Sequence, residues 1–204
     1  MSLDLMRGGT VIRQAISSHL QAHIPALLEQ ARTEWELDEW QLPDVEDYQQ
    51  YDRNELDVWP AIGINVMDSR NFGRVDYESD TSQVYLTKYT VAVYTWVRSP
   101  MDTNGDYPTP TYENTIRLRD DYAAIIRNVL LRTPSMGTDT IQFFEESMTE
   151  EYGEPIQAKG SRWVCGVRHM FTVQNEESTA IQQTLGDAGT INVDAISSDT
   201  LDGP

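Results

Sequence analysis

The sequence predicts an α+β domain in two layers: a mainly antiparallel sheet packed against two helices, with an extended C-terminal arm. Three observations carry this expectation. Two long segments repeat apolar residues at helical spacing, four others read as strands, and residues 175–204 hold too few apolar residues to join a core. At 204 residues and 39% hydrophobic content, the chain supports one core with appendages. The expected division is a body over 1–174, including an acidic connection at 35–59, and an arm over 175–204.

The first element is a long helix over 10–34. Ile12, Ile16, Leu20, Ile24, Leu27, Leu28 and Ala31 recur at the spacing of one helical stripe. Pro25 inside it removes a backbone donor, so a kink near 21–25 or a break into two helices is expected. The acid-rich connection follows, pinned to the body by Trp35, Trp40 and Tyr48. AIGINVM, residues 61–67, reads as a short strand, and the polar stretch 68–82 as a loop or irregular hairpin.

Residues 83–97, QVYLTKYTVAVYTWV, form the second strand. One alternating set contains Val84, Leu86, Ala92, Tyr94 and Trp96, the other Tyr85, Tyr89, Val91, Val93 and Val97. Both are largely apolar, so both faces of this strand call for cover. At about 3.3 Å per residue it is also about 50 Å long, enough to project beyond a small domain. The Pro-rich SPMDTNGDYPTPT ends it. Residues 112–132 are a second amphipathic helix, with Leu118, Tyr122, Ile125, Ile126 and Val129 on one face and Thr111 or Thr115 as cap. Strands over 139–147 and 162–174 complete the body. No third long amphipathic helix exists to cover the other sheet face. A neighbouring subunit or the 35–59 segment can do so.

Charge narrows the function. The chain holds 33 acidic against 15 basic residues, a formal net charge of −18, gathered into blocks at 34–57, 145–154 and 175–204. Nucleic-acid affinity comes mainly from Lys and Arg displacing counterions, so a tightly wrapped DNA ligand is disfavoured. An acidic surface suits a passage that DNA crosses without sticking. No run reaches the roughly 18 apolar residues of a membrane helix, and MSLDLMRGG lacks the apolar stretch of a secretion signal, so no membrane partner is expected. The lone Cys165 can form no intrachain disulfide and suits a reducing cytoplasm.

Motifs for chemistry are weak. DTNGDYPTPTYE, residues 102–113, offers Asp102, Asn104, Asp106 and Glu113 at calcium-loop positions, but Tyr107 stands where a glycine is needed and a strand precedes it. His19 and His23 are four apart without the glutamate of a zinc-protease motif, and a solvated helix face is the expected reading. His169 alternates with core residues, as a half-buried, hydrogen-bonded histidine does. Cys165 lies mid-strand as an unreactive thiol. The expectation is a protein that is not an enzyme, with no catalytic residues, metal or cofactor.

A helix of the form I..hL.ahIPaLLeqA over Ile16 to Ala31 is followed by a connection containing Leu42 and Pro43. A Pro-led strand from Pro60 to Val66, a long strand with Val91 and Val93, and a helix with R.dd...II from Arg119 to Ile126 come next. This order resembles the tail terminator and neck proteins of long-tailed bacteriophages. The resemblance covers roughly residues 10–175 and implies a virion protein, assembled in the host cytoplasm. It would form a ring, usually of six subunits, that ends the tail tube and joins it to the head connector around a DNA channel. The partners implied are further copies of the chain, the tail tube protein and the connector or stopper, with DNA passing without specific binding. The long connection and tail leave a head completion or stopper role open. An unrelated acidic enzyme or metal-binding domain is the alternative of another class. Intersubunit contacts are expected at Val91 and Val93 in the two-sided strand and at Arg70, Phe72 and Arg74 in the 68–82 loop. Ile191 and Val193 of TINVD are expected to add a short strand to a neighbour's sheet edge.

Overall fold

A computed structural model describes residues 8–49, 58–79, 82–99, 111–133, 135–136, 141–158 and 162–179, with the backbone alone at 71–79, 82–83 and 178–179. Two helices pack on one face of a six-stranded sheet, the α+β arrangement expected. The order is α1 (Gly8–Trp35), β1 (Asp47–Gln49), β2 (Ala61–Ser79), β3 (Ser82–Arg98), α2 (Tyr112–Arg132), β4 (Ile141–Tyr152), β5 (Ile156–Gln157) and β6 (Trp163–Thr179). In space the strands run β1-β2-β3-β6-β4, with β5 paired to β6. β1 joins β2 in parallel and every other pairing is antiparallel.

The core lies between the helices and one sheet face. Ile12, Ile16, Leu20, Ile24 and Leu28 of α1 are essentially fully buried against Leu118, Tyr122, Ile126 and Val129 of α2 and against Ile62, Ile64, Val93, Phe171 and Val173 of the sheet. Burying such a side chain stabilises by about 1.5–3 kcal/mol. That explains why α1 runs through Pro25 as one helix of 28 residues, without the break that was one of the two expected outcomes. Buried side chains on both sides of the proline outweigh the single lost hydrogen bond, while Pro25 and Gln21 themselves face solvent. α2 begins where Thr111, in an extended conformation, accepts a bond from Asn114 N at 3.1 Å.

The connection after α1 is a strap on the helix side. Leu42 is fully buried, and Leu37, Val45 and Tyr48 pack against the core. Arg32 of α1 donates to Leu42 O at 2.9 Å and pairs with Asp44 at 2.7 Å, while Tyr122 of α2 donates to Pro43 O. Trp35, expected to pin this segment, is 40% exposed instead. The described part of the connection thus covers helices and leaves the second sheet face alone.

Of the two forms expected for 68–82, the described part takes the irregular hairpin: β2 continues to Ser79 and pairs with β3, with register shifts at Val66/Asp68, Arg70/Phe72 and Val75/Ser79. Each shift flips the side-chain alternation, which is why the stretch reads as irregular. β4 extends to Tyr152 through a wide bulge between Phe144 and Thr149, where Ser147 Oγ accepts the N–H of Thr172 at 2.7 Å. β6 continues to Thr179, pairing Thr179 with Gln83, so residues 175–179 belong to the sheet rather than to an arm.

Candidate interface on the open face of the sheet

Alternation along β3 decides which side chains are free. Tyr89, Val91, Val93 and Val97 point to the helices and are at most 6% exposed. Val91 and Val93 are therefore core residues and not the intersubunit contact expected of them. The even-numbered set faces the other way, toward a surface over which no described element lies. It runs Lys88, Thr90, Ala92, Tyr94, Trp96 and Arg98, with Gln174, Thr172, Met170, Arg168, Gly166 and Val164 of β6 in register beside it.

The centre of this face is an aromatic platform. Trp96 lies between two glycines, one on each flanking strand. A Cβ at Gly63 would sit 2.8 Å from the indole, and one at Gly166 would sit 3.2 Å from it and 2.7 Å from Thr95 O. Side chains at either position would lift the ring, so the glycines let the indole settle onto the sheet. Tyr94 stacks on Trp96 with centroids 5.3 Å apart and planes 7° from parallel. The Arg168 guanidinium lies 5.9 Å from the Tyr94 centroid and pairs with Glu151 of β4. Met67 Sδ stands 3.9 Å from the Tyr94 hydroxyl. The second apolar face of β3 is thus partly covered by its own side chains.

Cations stand at both ends of the platform. Lys88 lies over the Phe144 ring at 5.0 Å. Arg98 Nε is shut off from water without an acceptor among the described residues. Burial and the nearby Arg98 charge lower the pKa of Arg162, whose guanidinium donates to Ser99 O at 3.1 Å. Arg70 is exposed on the same face and bonds Asp68 at 2.7 Å. Phe72 and Arg74 lie on β2, but their side chains are outside the description. Ile191, Val193 and the calcium-loop positions 102–110 also lie outside the described residues.

The groups weighed for chemistry are buried and bonded within the fold. His169 is fully buried rather than half-buried, with Nε2 3.2 Å from Ala123 O and 3.3 Å from Glu150 Oε1. Its Nδ1 lacks a partner among the described residues, and burial lowers its pKa. Arg127 grips Glu150 through both carboxylate oxygens, and Tyr152 donates to the same group at 2.6 Å, so the Glu150 pKa falls. His19 is 4% exposed, not on a solvated face, and bonds Val129 O at 3.3 Å, tying α1 to α2. Among the described residues no three His, Cys, Asp or Glu side chains gather as a metal site. The Cys165 thiol is buried 3.5 Å from Thr115 O, and desolvation pushes its pKa to about 11.

Tyr94, Trp96, Gly63, Gly166, Arg168 and Met170 form the surface that sequence reasoning did not single out. Tyr94 and Trp96 were visible as one of two alternating sets. Nothing in the alternation says which set meets the helices. No family model matches the chain, and no curated protein matches it.

Proposed function

We propose that the protein is a structural component of the head–tail neck of a long-tailed bacteriophage, forming a ring that ends the tail tube and meets the head connector. The resemblance in the order of elements supports the neck role, and one observation supports the ring: the open sheet face, with its stacked Tyr94 and Trp96 edged by cations. Aromatic, Met and Arg side chains surrounded by polar groups are the composition of a protein-binding surface. A second copy is the partner that a ring requires. Six subunits follow from the resemblance, as do the tail tube and connector partners and assembly in the host cytoplasm. The acidic excess gives a channel wall that does not hold DNA phosphates. Arg119, nearly buried and bonded to Gly153 O at 2.8 Å, is withdrawn from such a channel.

Native mass measurement and negative-stain imaging of the full chain, with pull-down against tail tube and connector proteins, test this reading. A closed ring that captures both partners is expected. A particle that is monomeric even within an assembled neck would overturn it.

A further inference from the structure

We infer that the open sheet face receives the acidic end of α1 and the strap that follows it, presented by a second copy of this chain. The inference rests on the proposed ring and names the contact that builds it.

The argument is charge complementarity within one chain. Outside the described sheet face, the exposed surface from Glu34 to Glu46 carries Glu34, Glu36, Asp38, Glu39, Asp44 and Glu46, with Arg32 alone in the last helical turn as a base. Arg32 is already engaged by Asp44 and Glu29. Carboxylates crowd the negative end of the α1 dipole, where a helix favours cations. An external cationic surface relieves that repulsion. Trp35 stands among these acids, 40% exposed, with Arg132 of α2 lining the same shallow recess.

The open face supplies the complement. Among the described residues neither Lys88 nor Arg98 pairs with a carboxylate, although the chain holds 33 acids. Ten residues of strand, roughly 33 Å, separate these two cations, with the aromatic platform between them. Beside Lys88 a recess of about 320 Å³ is bounded by Arg70, Thr90, Phe144, Glu146, Ser147 and Thr172, so one carboxylate stands among its two cations. Trp35 of the second copy enters that recess while Glu36 and Glu39 pair with Lys88. The donor surface lies on the helix layer and the acceptor on the opposite side of the sheet. Each copy can therefore give at one surface and receive at the other. Such head-to-tail contacts close into rings when the rotation permits.

Charge reversal with compensation tests the contact. Lys88→Glu and the pair Glu36→Lys/Glu39→Lys alter exposed side chains, and circular dichroism verifies that each variant folds. With wild-type rings established by native mass spectrometry, either reversal alone should weaken self-association by about tenfold or more, and the two combined in one chain should restore most of the loss. Rings that persist unchanged in both single reversals, or a combined variant no better than the weaker parent, would overturn this contact while leaving the ring itself standing. A wild-type chain that never associates would overturn the ring and the contact together.

Discussion

Gly166→Ala should destabilise the protein, although alanine ordinarily suits a strand better than glycine. The added methyl would lie 2.7 Å from Thr95 O, a backbone atom of the strand paired with β6, and 3.2 Å from Trp96 Cδ1. The carbonyl cannot retreat without disturbing the β3–β6 ladder. Overpacking of this kind costs about 1–3 kcal/mol, against about 0.4–1 kcal/mol gained from a stiffer unfolded chain. The net loss is about 1–2 kcal/mol, which for a domain of this size lowers Tm by about 2–8 °C. Gly63→Ala meets only the indole, at 2.8 Å, so the ring can tilt away and the loss should be smaller. Thermal unfolding followed by far-ultraviolet circular dichroism measures the first effect, and near-ultraviolet circular dichroism registers the disturbed Tyr94–Trp96 stack in both. A raised Tm for Gly166→Ala, or an unchanged aromatic signal in both variants, would refute the packing of Trp96 between two glycines.

Burial lowers the pKa of both His169 and His19 from 6.5, so between 6.5 and their folded values the unfolded chain binds more protons than the native one. Their stability contribution is complete above 6.5 and shrinks as pH falls below it; urea midpoints from about pH 8 to about pH 5 should show this decline, and His169→Gln should flatten it. Tyr122→Phe removes the bond to Pro43 O that holds the strap and should cost about 1 kcal/mol by urea unfolding, with proteolysis of the strap quickening. Thr111→Ala, which removes the α2 cap, should also cost about 1 kcal/mol in the same assay. Cys165, with its thiol pushed up to about 11, should resist thiol reagents at about pH 8 until the protein is unfolded; rapid labelling of the native chain would contradict its placement.

The parts legible in the sequence are those where one period holds over many residues. Ile12 to Leu28 repeats every fourth position, and α2 does the same with a cap residue before it, so both helices and the two-layer class follow from spacing alone. β2 was legible only to Met67, because the register shifts beyond it break the alternation that marks a strand. Leu42 gave no sign of its burial: Leu37, Trp40, Leu42 and Val45 stand among acids without a clean period, and bonds from Arg32 and from Tyr122, far along the chain, hold the strap on the helices. The candidate site was half legible. The two apolar faces of β3 could be read, but helix contacts made by Val91 and Val93 depend on packing across the whole domain. Gly63 and Gly166 acquire their meaning only when β2 and β6 flank Trp96.

Met170 lies in the middle of the open face, beside Ala92, and Met170→Glu places a charge there without touching the core beneath the helices. Native mass spectrometry of this variant beside the wild type tests most directly whether the face assembles the ring. Closed oligomers of the wild type, with the variant folded to nearly the same Tm yet remaining monomeric, are the predicted result. Rings of the same size and stability from the variant would contradict the assignment of this face.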